Sequence, residues 1–151
     1  MGKEIERKFL VKDDSYKTMA ESHRHISQGY LSTDPDRTVR VRTDGNEAWL
    51  TVKSRNQGAA RGEWEYSIPF DDAMQLMKLC GGHIIVKTRY YVRCGRHVWE
   101  VDAFEENHRG LVVAEIELAD ENETFDKPPF IGAEVTGQVR YYNSVLAGLR
   151  N

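Results

Sequence analysis

Charged side chains of one sign recur two residues apart along this chain, with apolar residues between them. Glu4/Glu6, Arg40/Arg42, Glu63/Glu65, Lys87/Arg89 and Glu115/Glu117 are such doublets. A period of two belongs to an extended strand, whose successive side chains point to opposite faces. A helix could gather neither set on one side. The alternation predicts strands near 3–11, 26–32, 37–44, 47–54, 63–69, 84–94, 97–105 and 111–119. One face of these strands is apolar, with Ile5, Phe9, Val39, Val41, Leu50, Val52, Trp64, Tyr66, Ile116 and Leu118. The other carries Glu4, Glu6 and Lys8, then Arg40 and Arg42, Lys53, Glu63 and Glu65, Lys87 and Arg89, Glu100 and Asp102, and Glu115 and Glu117. The fold class is therefore α+β, mainly antiparallel β, and about eight strands are enough to close a barrel. With its charged face inward, such a barrel encloses a wet tunnel, and a few helices flank its apolar outside.

The connections agree with that reading. Asp34-Pro35-Asp36 and Asp44-Gly45-Asn46 are turn chemistry, Cys94-Gly95-Arg96 suits a tight hairpin, and 57–62 reads as a longer mobile loop. Asp71 is placed to cap a short helix with Ala73, Met74, Leu76, Met77 and Cys80, stopped by Gly81-Gly82. Met74 and Met77 are expected in the core or at a subunit contact. Val139, Tyr142, Leu146 and Leu149 lie on one face of a C-terminal helix, and residues 13–22 form a weaker helical candidate. The 151 residues suit one domain over 1–151, since domains cluster around ~100–150 residues. No apolar run approaches the ~20 residues of a spanning helix, and the opening Met1-Gly2-Lys3-Glu4 has no apolar leader pattern. Two cysteines, Cys80 and Cys94, make no disulfide framework, so reduced thiols and a cytoplasmic location are expected. A pI near 6.0 leaves no basic footprint for nucleic acid, and no membrane partner is indicated.

Like charges side by side repel, so a sheet selected for stability alone would mix signs. Same-sign doublets make sense when a ligand supplies the missing counter-charge. Carboxylate clusters ask for a hard divalent cation, Mg²⁺ or Mn²⁺. Arginine supplies 13 of the 21 cations, and its fork suits phosphate oxygens. Both on one concave face describe a metal–polyphosphate site. The remaining signals carry less. His23 and His25 have i, i+2 spacing but no third ligand, and Trp49, Trp64 and Trp99 are expected in outer packing because Trp64 has the opposite parity to Glu63 and Glu65.

These residues bring the chain to a known family. Glu4-Ile5-Glu6-Arg7-Lys8 matches the ExExK signature of the CYTH superfamily, the triphosphate tunnel metalloenzymes. Gln28-Gly29-Tyr30-Leu31, Thr38 to Arg42, Leu50 to Lys53, Glu63 to Tyr66, Lys87-Thr88-Arg89, Trp99 to Asp102, Ala114 to Glu117 and the tail from Glu134 to Asn143 follow in the family's order. The chain resembles that family along nearly its whole length. The resemblance implies an eight-stranded tunnel that binds a triphosphate-containing small molecule with Mg²⁺ or Mn²⁺. It implies metal ligands at Glu4, Glu6, Glu115 and Glu117, helped by Asp102, and phosphate contacts from Lys8, Arg40, Arg42, Lys53, Lys87 and Arg89, with Arg140 as a further contact. Glu63, Glu65 and Glu100 are further tunnel acids.

Tyr30 falls where short bacterial members carry a tyrosine that acts with the ExExK lysine, here Lys8. A free phenol titrates near ~10, so neighbouring cations would have to lower it for Tyr30 to act as a base; a water oriented by glutamates is the rival nucleophile. Gln138 departs from the family's pattern, which has an acid there. The activity implied is metal-dependent hydrolysis of inorganic tripolyphosphate to phosphate and pyrophosphate. Adenylyl cyclase chemistry on ATP, hydrolysis of thiamine or nucleoside triphosphates, and a non-catalytic polyphosphate-binding module are the alternatives. A homodimer is left open.

Overall fold

In the computed structural model, which describes residues 2–148, the alternating segments become β1 (Glu4–Val11), β2 (Ser22–Ser32), β3 (Arg37–Thr43), β4 (Ala48–Ser54), β6 (Glu63–Ile68), β7 (Ile84–Cys94), β8 (His97–Phe104) and β9 (Val112–Glu117). Two short strands join them, β5 (Ala60–Arg61) and β10 (Ile131–Glu134). All pair antiparallel in the order β10-β1-β9-β8-β7-β2-β3-β4-β6, with β5 also on β1. The sheet curls into a nearly closed barrel. β5 and β6 are nearly one strand: Ala60–Arg61 pairs with Ile5 and Glu4, while Glu63–Ile68 pairs with β4. A two-way hydrogen bond between Gly2 and Glu63, at 2.7 and 3.4 Å, brings the ends together.

The apolar parity faces out, as alternation requires, and is covered unevenly. Outside β1, β8 and β9, Phe9, Trp99, Ile116 and Phe130 are almost fully buried. Phe9 and Trp99 meet edge-to-face at 5.4 Å between ring centres, and Tyr16 of α1 (Tyr16–Met19) meets Phe130 at 6.0 Å. Each such side chain contributes roughly 1.5–3 kcal/mol by leaving water. On the far side, α2 (Phe70–Leu79) packs Ala73, Leu76 and Met77 against Val41, Ala48 and Leu50. Gly29 permits a close approach here: a Cβ on it would fall 2.7 Å from the Cys80 Sγ and 2.8 Å from Met77. On β6, Ile68 joins that packing, whereas Trp64 and Tyr66 remain 36% and 57% exposed.

The helices depart from the sequence pattern in instructive ways. α2 begins after Pro69, whose extended backbone sets the start, so Asp71 lies in the first turn beside Asp72 and favours the helix dipole instead of capping. The 13–22 candidate shrinks to α1, because Ser22 onward pairs with β7. The C-terminal helix is broken. Val139–Tyr141 is a 3-10 turn, Tyr142 is extended, and α3 (Asn143–Gly148) follows. The Lys8 Nζ takes the Tyr141 carbonyl at 3.0 Å, which removes it from any helical ladder. Leu146 is buried and Val139 is 53% exposed; Leu149 lies outside the described residues. Among the described residues no helix is long and apolar enough to cross a membrane.

Candidate active site

The inward parity of the strands encloses a cavity of about 200 Å³ without a single aliphatic lining side chain. Its wall is made by Glu4, Glu6 and Lys8 of β1; Tyr30 of β2; Thr38, Arg40 and Arg42 of β3; Thr51 and Lys53 of β4; Arg61 of β5; and Glu63 and Glu65 of β6. Arg89 of β7, Glu100 of β8, Glu115 and Glu117 of β9, and Tyr142, Asn143 and Ser144 of the tail complete it. The order of strands sorts the charges. An acidic arc runs over β1, β9 and β8, a basic arc over β7, β3 and β4, and β6 returns to acid. α3 stops one end, where Leu146 and Ala147 pack with Tyr30, Ile85 and Phe104.

Some of these charges are already neutralised. Lys53 lies 3.1 Å from Glu4 and 3.6 Å from Glu63, and Arg61 lies 3.2 Å from Glu4. Burial works to raise the Glu4 carboxyl, but Lys53 and then Arg61 outweigh it and hold it below the usual range. Lys8 and Arg89 each lie 3.5 Å from Glu115. They overcome the same burial penalty and hold that carboxyl well down. Arg42, Glu6 and Glu117 make no ion pair among the described residues, although Glu6 shares a hydrogen bond with Glu115 and feels Lys53. Glu6 faces Glu117 across the β1–β9 pair; burial, Glu115 and Glu4 push the Glu6 carboxyl well up. Glu117, more exposed, is raised by burial and by Glu4, Glu63 and Glu100. Burial, then Arg40 and Arg89, drive the Arg42 guanidinium down to about 9. Arg40 reaches Thr51 at 3.2 Å and Glu65 at 3.4 Å, yet its buried Nε has no hydrogen-bond partner among the described residues.

Three expected residues stand apart from the lining. Asp102 is buried behind it, 2.7 Å from the Arg89 Nε and 2.8 Å from the Lys87 Nζ, so both of its oxygens are occupied by cations. Burial raises this carboxyl, but Arg89 and Lys87 prevail and hold it at about 2. Lys87 is completely buried, which lowers its ammonium to about 7 against the pull of Asp102. Parity put both on the inward face correctly, but it says nothing of depth. Arg140 is exposed on the 3-10 turn, stacked over Tyr141 and 3.5 Å from Gln138, because the broken helix turns it outward. Tyr30 meets Gln28 rather than Lys8: the Gln28 amide nitrogen donates to the Tyr30 oxygen at 3.0 Å.

Sequence reasoning passed over Arg61, Gln28 and Asn143. Arg61 belongs to the 57–62 stretch that reads as a loop because it shows no alternation. Gln28 and Asn143 are neutral, although the i, i+2 spacing of Gln28 and Tyr30 placed both on one face. Among the described residues no three carboxylates or imidazoles form a ready-made metal cage, since Glu4 and Glu115 are turned to cations. The donor chemistry still fits a hard divalent ion, because Glu6, raised by Glu115 and Glu4, and Glu117, raised by Glu4, Glu63 and Glu100, are acids whose like-charged neighbours a divalent cation would offset.

A sequence profile of the CYTH domain matches residues 2–143. An inorganic triphosphatase of Acetivibrio thermocellus is 48% identical over 147 residues, covering 97% of this chain and 94% of that protein. An inorganic triphosphatase of Nitrosomonas europaea is 35% identical over 151 residues, covering 95% of this chain and 96% of the relative. The crystal structure of an inorganic triphosphatase shares this architecture with a TM-score of 0.70 at 32% identity, covering 97% of this chain and 99% of that one.

Proposed function

Because the chain belongs to the CYTH domain family, we propose that it hydrolyses inorganic tripolyphosphate to phosphate and pyrophosphate inside the tunnel, with Mg²⁺ or Mn²⁺. The observation that carries this reading is that, among the described residues, Arg42, Glu6 and Glu117 make no ion pair and the Arg40 Nε has no hydrogen-bond partner. Arg42 and the free Arg40 Nε call for an anion rich in oxygens, and Glu6 with Glu117 calls for a cation. A chelated polyphosphate supplies both. Arg40, Arg42, Lys53 and Arg89 bind phosphate oxygens and fix the chain along the tunnel, where charge neutralisation and alignment make up most of phosphoryl-transfer catalysis. Arg61 and Lys8 stand at the acidic arc and keep its carboxylates ionised. Tyr30 handles the proton. Glu4, Glu6, Glu115 and Glu117 would hold the metal, which supplies charge neutralisation and Lewis acidity when bound.

The cavity also argues for the inorganic substrate. Its volume of about 200 Å³ is below the ~300–1,000 Å³ of sites for drug-sized ligands, and its wall is mostly charged, with Tyr30 and Tyr142 as its aromatic surface. The test is product analysis with tripolyphosphate, ATP and thiamine triphosphate in parallel, with Mg²⁺, with Mn²⁺ and with EDTA. Metal-dependent phosphate release, fastest from tripolyphosphate and abolished by EDTA, is the expected result. Cyclic AMP from ATP would overturn the reading in favour of cyclase chemistry. Tight tripolyphosphate binding with no turnover would make the protein a binding module. A Glu115→Gln variant separates enzyme from binder: turnover collapses in the first case, and binding persists in the second.

A further inference from the structure

Gln28 is fully buried beneath the tunnel wall, between Arg42, Tyr30 and Asn143. The Arg42 Nε donates to its Oε1 at 2.9 Å. Arginine has only donors, so the amide oxygen must face Arg42 and the amide nitrogen must face the other way. That nitrogen lies 3.0 Å from the Tyr30 Oη and 3.4 Å from the Asn143 Oδ1. The Asn143 oxygen is fixed in turn, since the Lys87 Nζ donates to it at 3.1 Å. Both cations therefore orient the amides in one sense, and the Tyr30 oxygen is left to accept. Its own proton has to point elsewhere; among the described residues no protein acceptor takes it, and Tyr30 lines the tunnel.

We infer that Gln28 is a positioning residue that turns the Tyr30 hydroxyl proton into the tunnel, so that Tyr30 serves as the proton donor to the departing pyrophosphate. This rests on the role of Tyr30 in the proposed hydrolysis. The oxygen of the attacking water bonds to the terminal phosphorus, and the bridging P–O bond breaks with its electron pair on the pyrophosphate oxygen. The Tyr30 proton passes to that oxygen. The phenolate is held by the Gln28 N–H, which favours the charged form, until it takes back a proton released by the attacking water. One water is consumed, and phosphate and pyrophosphate leave.

Gln28→Glu separates the two halves of the amide. A carboxylate beside Arg42 stays ionised and keeps that contact, but it can only accept, so the phenol proton turns back toward it. The expected result with tripolyphosphate is a kcat lower by about tenfold or more, up to the ~100-fold at the low end of general acid catalysis, with KM nearly unchanged and stabilisation by tripolyphosphate in thermal melts retained. In a Tyr30→Phe background the same change should lower kcat no further. If Gln28→Glu does not fold, the same cycle is run with Gln28→Met: its kcat loss must vanish in the Tyr30→Phe background, while a rise in KM from the loosened Arg42 persists. An unimpaired Gln28→Glu, or a loss equally large without the phenol, overturns the inference. Full activity of Tyr30→Phe would sink the Tyr30 assignment together with it, whereas a crippled Tyr30→Phe beside an unimpaired Gln28→Glu would sink this inference alone.

Discussion

Lys87, Asp102 and Arg89 neutralise one another in the wall, whereas Arg42, Glu6 and Glu117 face the tunnel and make no ion pair among the described residues. The two groups come from the same alternating strands and the same residue types. What separates them is register. Arg89 is the direct cross-strand partner of Asp102, while Glu6 faces Glu117. Opposite charges across the β7–β8 pair hold Asp102 in place, while like charges across the β1–β9 pair leave Glu6 and Glu117 strained until a ligand arrives; Lys8–Glu115 and Lys53–Glu63 are opposite pairs that also line the tunnel. Such strain is common where ionisable groups serve function.

The comparison is tested most severely at Arg42. Arg42→Ala should lower tripolyphosphate turnover by ~100-fold or more, the scale of losing one charge-stabilising donor, with only a small change in thermal stability, because relief of the like-charged Arg40 and Arg89 offsets the loss of the Gln28 hydrogen bond. A large fall in stability would show that Arg42 belongs with the scaffold. Lys87→Met should do the reverse: it leaves a buried carboxylate short of a partner and should cost about 3–5 kcal/mol in chemical denaturation.

Acid titration sharpens the contrast further. The folded Asp102 carboxyl sits at about 2, below its ordinary value of 3.8. Its contribution, about 2 kcal/mol, is therefore present above pH ~4 and lost as pH falls toward ~2. Asp102→Asn should remove that slope. Glu6 has the opposite sign. Its folded carboxyl is raised, so the free protein gains stability as pH falls from neutrality through that raised value. Glu6→Gln should stabilise the free protein near neutrality and flatten this branch. The smallest effect is expected outside the tunnel, at the solvent-exposed Arg55–Asp36 pair. Arg55→Ala should leave both melting and turnover unchanged, since exposed pairs contribute little.

Period-two alternation was sufficient to place eight of the strands and to sort their side chains into tunnel and exterior, because parity is a local property of an extended chain. β5 and β10 escaped it. Ala60–Arg61 is two residues long, and Ile131-Gly132-Ala133-Glu134 follows Pro128-Pro129 without alternation. The break at Tyr142 also escaped, because its cause is Lys8, more than a hundred residues away in the chain. Within the site, parity gave the face of Lys87 and Asp102 but not their depth, which depends on β7 pairing with β8. Gln28 carries no charge, so a search for charge doublets could not weigh it, even though its hydrogen bonds join Arg42 to Tyr30.

The junction at Gly62 divides one long strand into a part that serves β1 and a part that serves β4. The barrel is thus a hoop fastened by a narrow clasp, Ala60–Arg61 with Glu63, and past the clasp residues 64–68 have a strand on one side only. Opening there would widen the tunnel without disturbing the aromatic packing outside β1, β8 and β9. The backbone amides of β6 should exchange with solvent sooner than those of β4, and a polyphosphate that draws Lys53 and Arg61 toward itself should slow that exchange by tightening the hoop around its own cargo.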